Sequence, residues 1–222
     1  MWTRPGGAQV MEGRAMRGTW VWMVSALALL LAQPGDASEP RLGERFDRPI
    51  VGGPLDPDLF DAAVTAFANA ERRAHGRAAL KSDARLLRAA AAHAHNMAQL
   101  RRHSHRLPVA GEGRLVQRMD RNGVRFRMAA ENIGMEKVLR LLGRPIAMKS
   151  DGCRFTYADT GAPVPVHTYA SLARSAVARW MASPGHRASL LSPEFRRIGS
   201  GVALDPKGPA CGDVYLVQNF AD

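Results

Sequence analysis

Apolar residues recur at helical spacing through the middle of this chain and at strand spacing only near its end, an order that excludes most sheet architectures. Leu86, Leu87, Ala90, Ala94, Met97 and Leu100 line one face of a helix that starts near Ser82-Asp83. Phe60, Val64 and Phe67 form a similar stripe, opened by Asp56-Pro57 as N-cap and first helical residue and closed at Gly76. A shorter helix fits Leu115 to Asp120, stopped by Asn122-Gly123, and a fourth runs from about Ser171 to Ala182 until Ser183-Pro184-Gly185 ends it. The stretches Ile198 to Leu204 and Val214 to Phe220 then read as strands of an antiparallel hairpin across a Pro- and Gly-rich turn. Helices come first and strands late, so a doubly wound parallel sheet is out and the class is α+β.

Between Met135 and His167 the periodicity fails, broken by Gly143, Pro145, Asp151-Gly152, Pro163 and Pro165. That stretch reads as an insertion, at about 135–167, with at most short strands. Residues 38–56, rich in Pro, Gly and charge, read as a flexible arm. Ahead of them stand Arg4, Arg14 and Arg17, then an apolar run from Thr19 to Ala32, then Gly35-Asp36-Ala37-Ser38. Basic, apolar and small residues in that order predict a signal peptide over 1–37, cut after Ala37, and a secreted or periplasmic protein. The apolar run is shorter than the roughly 18–20 residues that span a bilayer, which disfavours an uncleaved anchor.

The formal net charge of the 222 residues is +11, and loss of the leader's three Arg and two acids lowers it only to +10. A basic surface attracts anionic partners, here an anionic cell-envelope polymer. The cations are scattered and not interleaved with aromatics, and export argues against nucleic acid. Only Cys153 and Cys211 are present, and an even pair in an oxidising compartment predicts one disulfide.

Four ordered segments carry a family resemblance. They are Asn69-Ala-Glu-Arg72 with Leu80 and Leu86; His93-Ala-His-Asn-Met97 with Ser104-His105; Ala130-Glu131-Asn132-Ile133; and Trp180 to His186, Ile198-Gly-Ser-Gly-Val202 and Gln218-Asn219-Phe220. Together they resemble the bacterial SCP-like branch of the CAP superfamily, which unites cysteine-rich secretory, antigen 5 and pathogenesis-related proteins. The resemblance implies a three-layer α-β-α sandwich with a central antiparallel sheet, and a CAP domain over 57–222. It also implies a central cleft of two histidines and two acids. His105, Glu131 and His186 match three of these by motif, while Ser183 stands where the second acid belongs. Members of the superfamily are associated with lipid or sterol binding, with defence and with host interaction.

The trio admits three chemistries. Two neutral imidazoles can ligate zinc or another divalent cation, with His105 and His186 as ligands and water in the open positions. A carboxylate beside imidazole can also move protons, the basis of an alternative, protease-like hydrolase using His105, Glu131 and His186. The third possibility is a polar cleft with a purely structural role. His93 and His95 lie two apart on a helix and point to different sides, so they cannot share a metal. His93 reads as a packed histidine, His75 and His103 as exposed, Trp180 as core, and Glu194 either as a substitute acid or as a helix start after Pro193. No serine lies in a Gly-x-Ser-x-Gly elbow. The fold and the missing acid favour a non-enzymatic ligand- or partner-binding module.

Overall fold

Asp56 opens the first helix as its sequence predicts, its side chain accepting from the Leu59 amide (3.0 Å) ahead of Pro57 at the first position. The computed structural model describes residues 39–51, 54–148 and 154–222. The signal peptide expected over 1–37 and its cleavage site lie outside them. Among the described residues, five α-helices follow in order: α1 (Pro57–Ala74), α2 (Ala84–Leu100), α3 (Leu115–Arg121), α4 (Tyr169–Ala182) and α5 (Pro184–Leu191). The strands are β1 (Lys81–Ser82), β2 (Ala129–Lys137), β3 (Ile146–Met148), β4 (Phe155–Tyr157), β5 (Arg197–Asp205) and β6 (Asp213–Ala221).

Four strands form the central sheet in the order β1-β5-β6-β2. The expected hairpin pairs Arg197 with Ala221 and Asp205 with Asp213, and β2 pairs antiparallel on the other side of β6. The two residues of β1 pair parallel with β5, the one departure from an antiparallel sheet. Every residue of β6 is buried, as its central place requires.

One face of the sheet packs on α1 and α4 through Phe60, Val64, Leu172, Trp180, Ile198 and Phe220. The other packs on α2 through Ala90, Ala94, Met97, Ile133, Tyr215 and Val217. The chain is therefore a mixed α and β structure with helices on both faces of a central sheet. Leu100, expected on the buried face of α2, ends the helix 45% exposed. The close approach of α2 depends on Gly199 and Gly201. A Cβ at either would fall well inside 3.0 Å of α2 backbone, at Leu86–Leu87 and at Ala90–Ala91 respectively.

Four expectations need correction. Pro184 does not merely end α4 but starts α5, because proline suits the first helical position. No helix starts at Glu194, which lies exposed in the turn after Pro193. The arm is docked over its second half: Phe46 and Ile50 are buried, and the Ile50 amide donates to the His167 carbonyl (2.9 Å). Strand β2 runs two residues past Met135, and the inserted segment that follows has its own small core of Leu139, Tyr157 and Val164. Cys211 packs against this cluster from the β5–β6 turn, and Cys153 lies outside the described residues.

Candidate functional site

Glu131 stands on β2, His105 on the segment after α2 and His186 in the first turn of α5; His105 and Glu131 line one pocket, of about 340 Å³, and His186 lines another. Glu131 is buried, its Oε1 accepting from His105 Nδ1 (2.8 Å) and its Oε2 from Arg118 Nη2 (2.6 Å). In the amide orientation that matches its neighbours, Asn219 also donates to Oε2 (3.2 Å). Burial alone would raise the Glu131 carboxyl, but the His105 hydrogen bond and the Arg118 charge outweigh it and hold the group below the ordinary glutamate range. Arg118 is itself wholly buried on α3, donating to the carbonyls of Glu112 (2.8 Å) and His105 (3.2 Å). It therefore fixes both the carboxylate and the backbone that carries the imidazole.

Behind this pair lies a second buried acid. Glu112 Oε2 is 3.9 Å from His93 Nδ1, and neither atom has a hydrogen-bond partner among the described residues. His93 Nε2 donates to the Ser104 carbonyl (3.0 Å), which leaves Nδ1 as the bare nitrogen. Burial, opposed by Glu131, pushes the His93 pKa down to about 4, so the ring is neutral. Burial likewise raises Glu112. His93 is thus the packed histidine its position suggests, and His95, two residues on, is exposed.

His186 lies in the first turn of α5, and its carbonyl accepts from Asn132 Nδ2 (3.1 Å), which also donates to Gln218 (3.1 Å). Trp180, only 2% exposed, donates from its indole to the Ile133 carbonyl (3.1 Å), so two side-chain bonds fasten α4 and α5 to β2. His186 shares a pocket of about 280 Å³ with His103, Ser183 and Trp180. Burial first, and then the charge of His105, lowers the pKa of both His103 and His186, so the three imidazoles lie within electrostatic reach of one another. Ser183 joins α4 to α5 beside His186 and supplies no acid; exposed Glu194 is not among the residues lining this pocket.

Among the described residues, no group of three or more His, Cys, Asp or Glu is arranged to hold a metal ion. The donor chemistry at His105 nevertheless suits one. Glu131 takes its Nδ1–H, fixing the tautomer and leaving Nε2 as the nitrogen a metal ion would use, as carboxylates do behind metal-bound histidines.

Reading the sequence missed Arg118, Glu112 and the place of His103 beside His186. No local signal in the sequence marks Arg118, whose partner Glu131 comes from β2.

The family model for CAP, the cysteine-rich secretory protein family, matches residues 65–220. Among curated proteins no match was found. Among solved structures, an extracellular protein containing an SCP domain from Bacillus anthracis is similar over 77% of this chain, at 23% identity and a TM-score of 0.50. This chain covers only 45% of that protein. An outer surface protein from Borrelia burgdorferi matches over 77% of this chain and 98% of its own length, at 15% identity and a TM-score of 0.51. The sandwich of helices about a central sheet, the ordered motifs and the match over residues 65–220 agree: the chain belongs to the CAP family of cysteine-rich secretory proteins.

Proposed function

We propose that this protein is an exported CAP-domain binding module whose cleft, built on His105, Glu131, His186 and Ser183, takes a ligand or partner together with a divalent cation such as zinc. The observation that carries the proposal is the fixing of Glu131 between His105 and Arg118. A carboxylate tied to a buried guanidinium and held ionised orients an imidazole well but is a weak proton acceptor. The second acid of the cleft is absent at Ser183, and Glu112 lies buried behind Glu131 instead of facing the pocket. These features weigh against the hydrolase alternative. In the proposed site His105 Nε2 and His186 hold the cation, which when bound supplies a Lewis-acidic anchor for an anionic or carbonyl group of the ligand.

Export rests on the basic, apolar, small-residue order of 1–37. It accords with the descriptions of the Bacillus protein as extracellular and the Borrelia protein as an outer surface protein. Lipid or sterol and anionic envelope polymer are the candidate ligand classes. Binding of the polymer through exposed charge would weaken sharply with salt, since the Debye length is about 8–10 Å near physiological strength. Zinc titration of wild type, His105→Ala and His186→Ala at neutral pH tests the cleft. We expect each variant to bind at least about tenfold more weakly, a loss of about 1.4 kcal/mol. Unchanged affinity in both would eliminate the metal reading.

A further inference from the structure

The sheet order leaves β2 at an edge, and its register shows which backbone groups are unpaired. Val138 N donates inward to Gly212 O and Met128 O accepts from Asp222 N, so even-numbered residues pair with β6. The amide groups of Ile133, Met135 and Lys137 therefore face away from the sheet. Trp180 covers the carbonyl of Ile133, and beyond β2 the inserted segment takes up the edge, with Leu139 bridged to Val166 and Arg140 N donating to Pro165 O (2.8 Å). Between these two covers, the amide groups of Met135 and Lys137 have no backbone or side-chain partner among the described residues beyond the β2–β6 ladder.

Both residues line a groove of about 710 Å³ between α4 and the segment that follows β2. Its cations are Lys137, Arg140, Arg174 and Arg179, against the single acid Glu136. Lys137 is paired with Asp213, Arg174 with Glu39 and Arg179 with Glu136 (3.2 Å). Arg140 has no ion-pair partner among the described residues, and its charge helps to keep the neighbouring His167 ring neutral. Leu139, Leu141 and Leu142 supply apolar wall. Leu142 stands 64% exposed with φ 53°, a left-handed conformation unfavourable for a branched side chain.

We infer that this groove receives an extended, carboxylate-bearing peptide, which adds as a strand to β2 at Met135 and Lys137 and sets an acidic side chain on Arg140. Edge strands are ordinarily guarded by a lysine whose charge repels an incoming strand, but here Asp213 neutralises Lys137. Main-chain pairing supplies affinity and the alternating side chains supply selection, as in other cases of strand addition. Unpaired amides offer nothing to an acyl chain, so the geometry favours a peptide over an anionic lipid. The inference rests on the reading of the protein as a binding module but uses no residue of the histidine cleft.

Fluorescence anisotropy with a dye-labelled Glu-Val-Glu-Val-Glu peptide, capped at its C-terminus, tests it on the full exported chain. The expected result is saturable binding that falls at least about tenfold in Arg140→Glu and to a similar degree when alternate peptide amides are N-methylated, with little binding of Lys-Val-Lys-Val-Lys. Equal affinity for the N-methylated peptide would overturn strand addition, because methylation spares charge and apolar area while removing backbone donors. Absence of peptide binding, with or without capture of phosphatidylglycerol vesicles, would overturn it as well. Zinc titration of the same sample separates the two proposals, since retained zinc affinity without peptide binding removes only the strand-addition inference.

Discussion

Arg118 and Glu131 show how a buried charge is made tolerable, through a 2.6 Å ion pair completed by His105 and two backbone carbonyls. Removing one partner strands the other away from water. Arg118→Met should therefore destabilise by about 3–5 kcal/mol, whereas the double variant Arg118→Met/Glu131→Gln should recover a large part of the loss. Urea unfolding of the three variants checks this, and a double variant no better than Arg118→Met would count against it. Buried histidines make a second prediction. Burial holds the pKa values of His93 and His167 at about 4, against 6.5 for an unperturbed ring. The groups facing His93 are Glu131, Glu112, Arg118 and His105; Arg140 acts on His167. Below pH 6.5 the unfolded chain takes up protons that the folded chain refuses, so stability is full above that pH and declines as pH falls toward 4. Each ring can account for a loss on the order of 3 kcal/mol across that window. Stability measured at pH 7 and pH 4.5 should differ less in His167→Gln than in wild type, and an equal difference would sink the idea. The sequence makes His105, Glu131 and His186 legible because each sits in a short motif at an element boundary. Arg118 and Glu112 are not legible, because their partners come from β2 and α2, and no local pattern marks a cation that will be buried.

At the scale of elements, caps and periodicity explain most of what was readable. Asp56, Asp83 and Thr168 each cap a helix where the sequence places or nearly places its start, the last in a capping box with Ser171. Helix α5 escaped because eight residues carry too few turns for a periodic stripe, and Ser-Pro-Gly signals both an end and a beginning. The docking of Phe46 and Ile50 escaped for a related reason: two apolar residues among prolines and charges show no period, and only the tertiary surface reveals their pocket. The Ile198-Gly-Ser-Gly-Val run was read as a strand, but its glycines have a meaning that only packing discloses. They let α2 lie on β5 with no side chain between them, while Asp61 accepts from the Ser200 amide (2.6 Å) on the opposite face. Gly201→Ala should then cost about 3 kcal/mol or more, since the obstructing atoms are helix backbone and cannot rotate aside. Gly185→Ala, where an added Cβ meets nothing within 4 Å, is the control. Thermal unfolding of both variants tests the claim, and similar midpoints would refute it.

For the whole molecule, the open question is how the inserted segment is fastened to the sandwich. Backbone bonds join it at one end, where Val138 and Arg140 pair with His167 and Pro165. Its small core of Leu139, Tyr157 and Val164 also receives Ala210 and Cys211 from the turn between β5 and β6. Phe155, two residues after Cys153, packs partly buried against the same cluster. The chain thus brings Cys211 and Phe155 to one patch, although more than fifty residues separate them in sequence. That convergence is the reason to expect the disulfide that two cysteines predict if the chain is exported to an oxidising compartment. Closing a loop of this length stabilises by roughly 4 kcal/mol in the chain-entropy view. The backbone pairing at Val138 and Arg140 already restrains the segment only in the folded state, so it does not diminish that effect on the unfolded chain. Thiol titration of unreduced protein in denaturant should find no free thiol, and Cys211→Ser should lower the urea midpoint by an amount that reduction of the wild type reproduces. Two titratable thiols in the unreduced protein would reject the bond and leave the apolar cluster as the fastening.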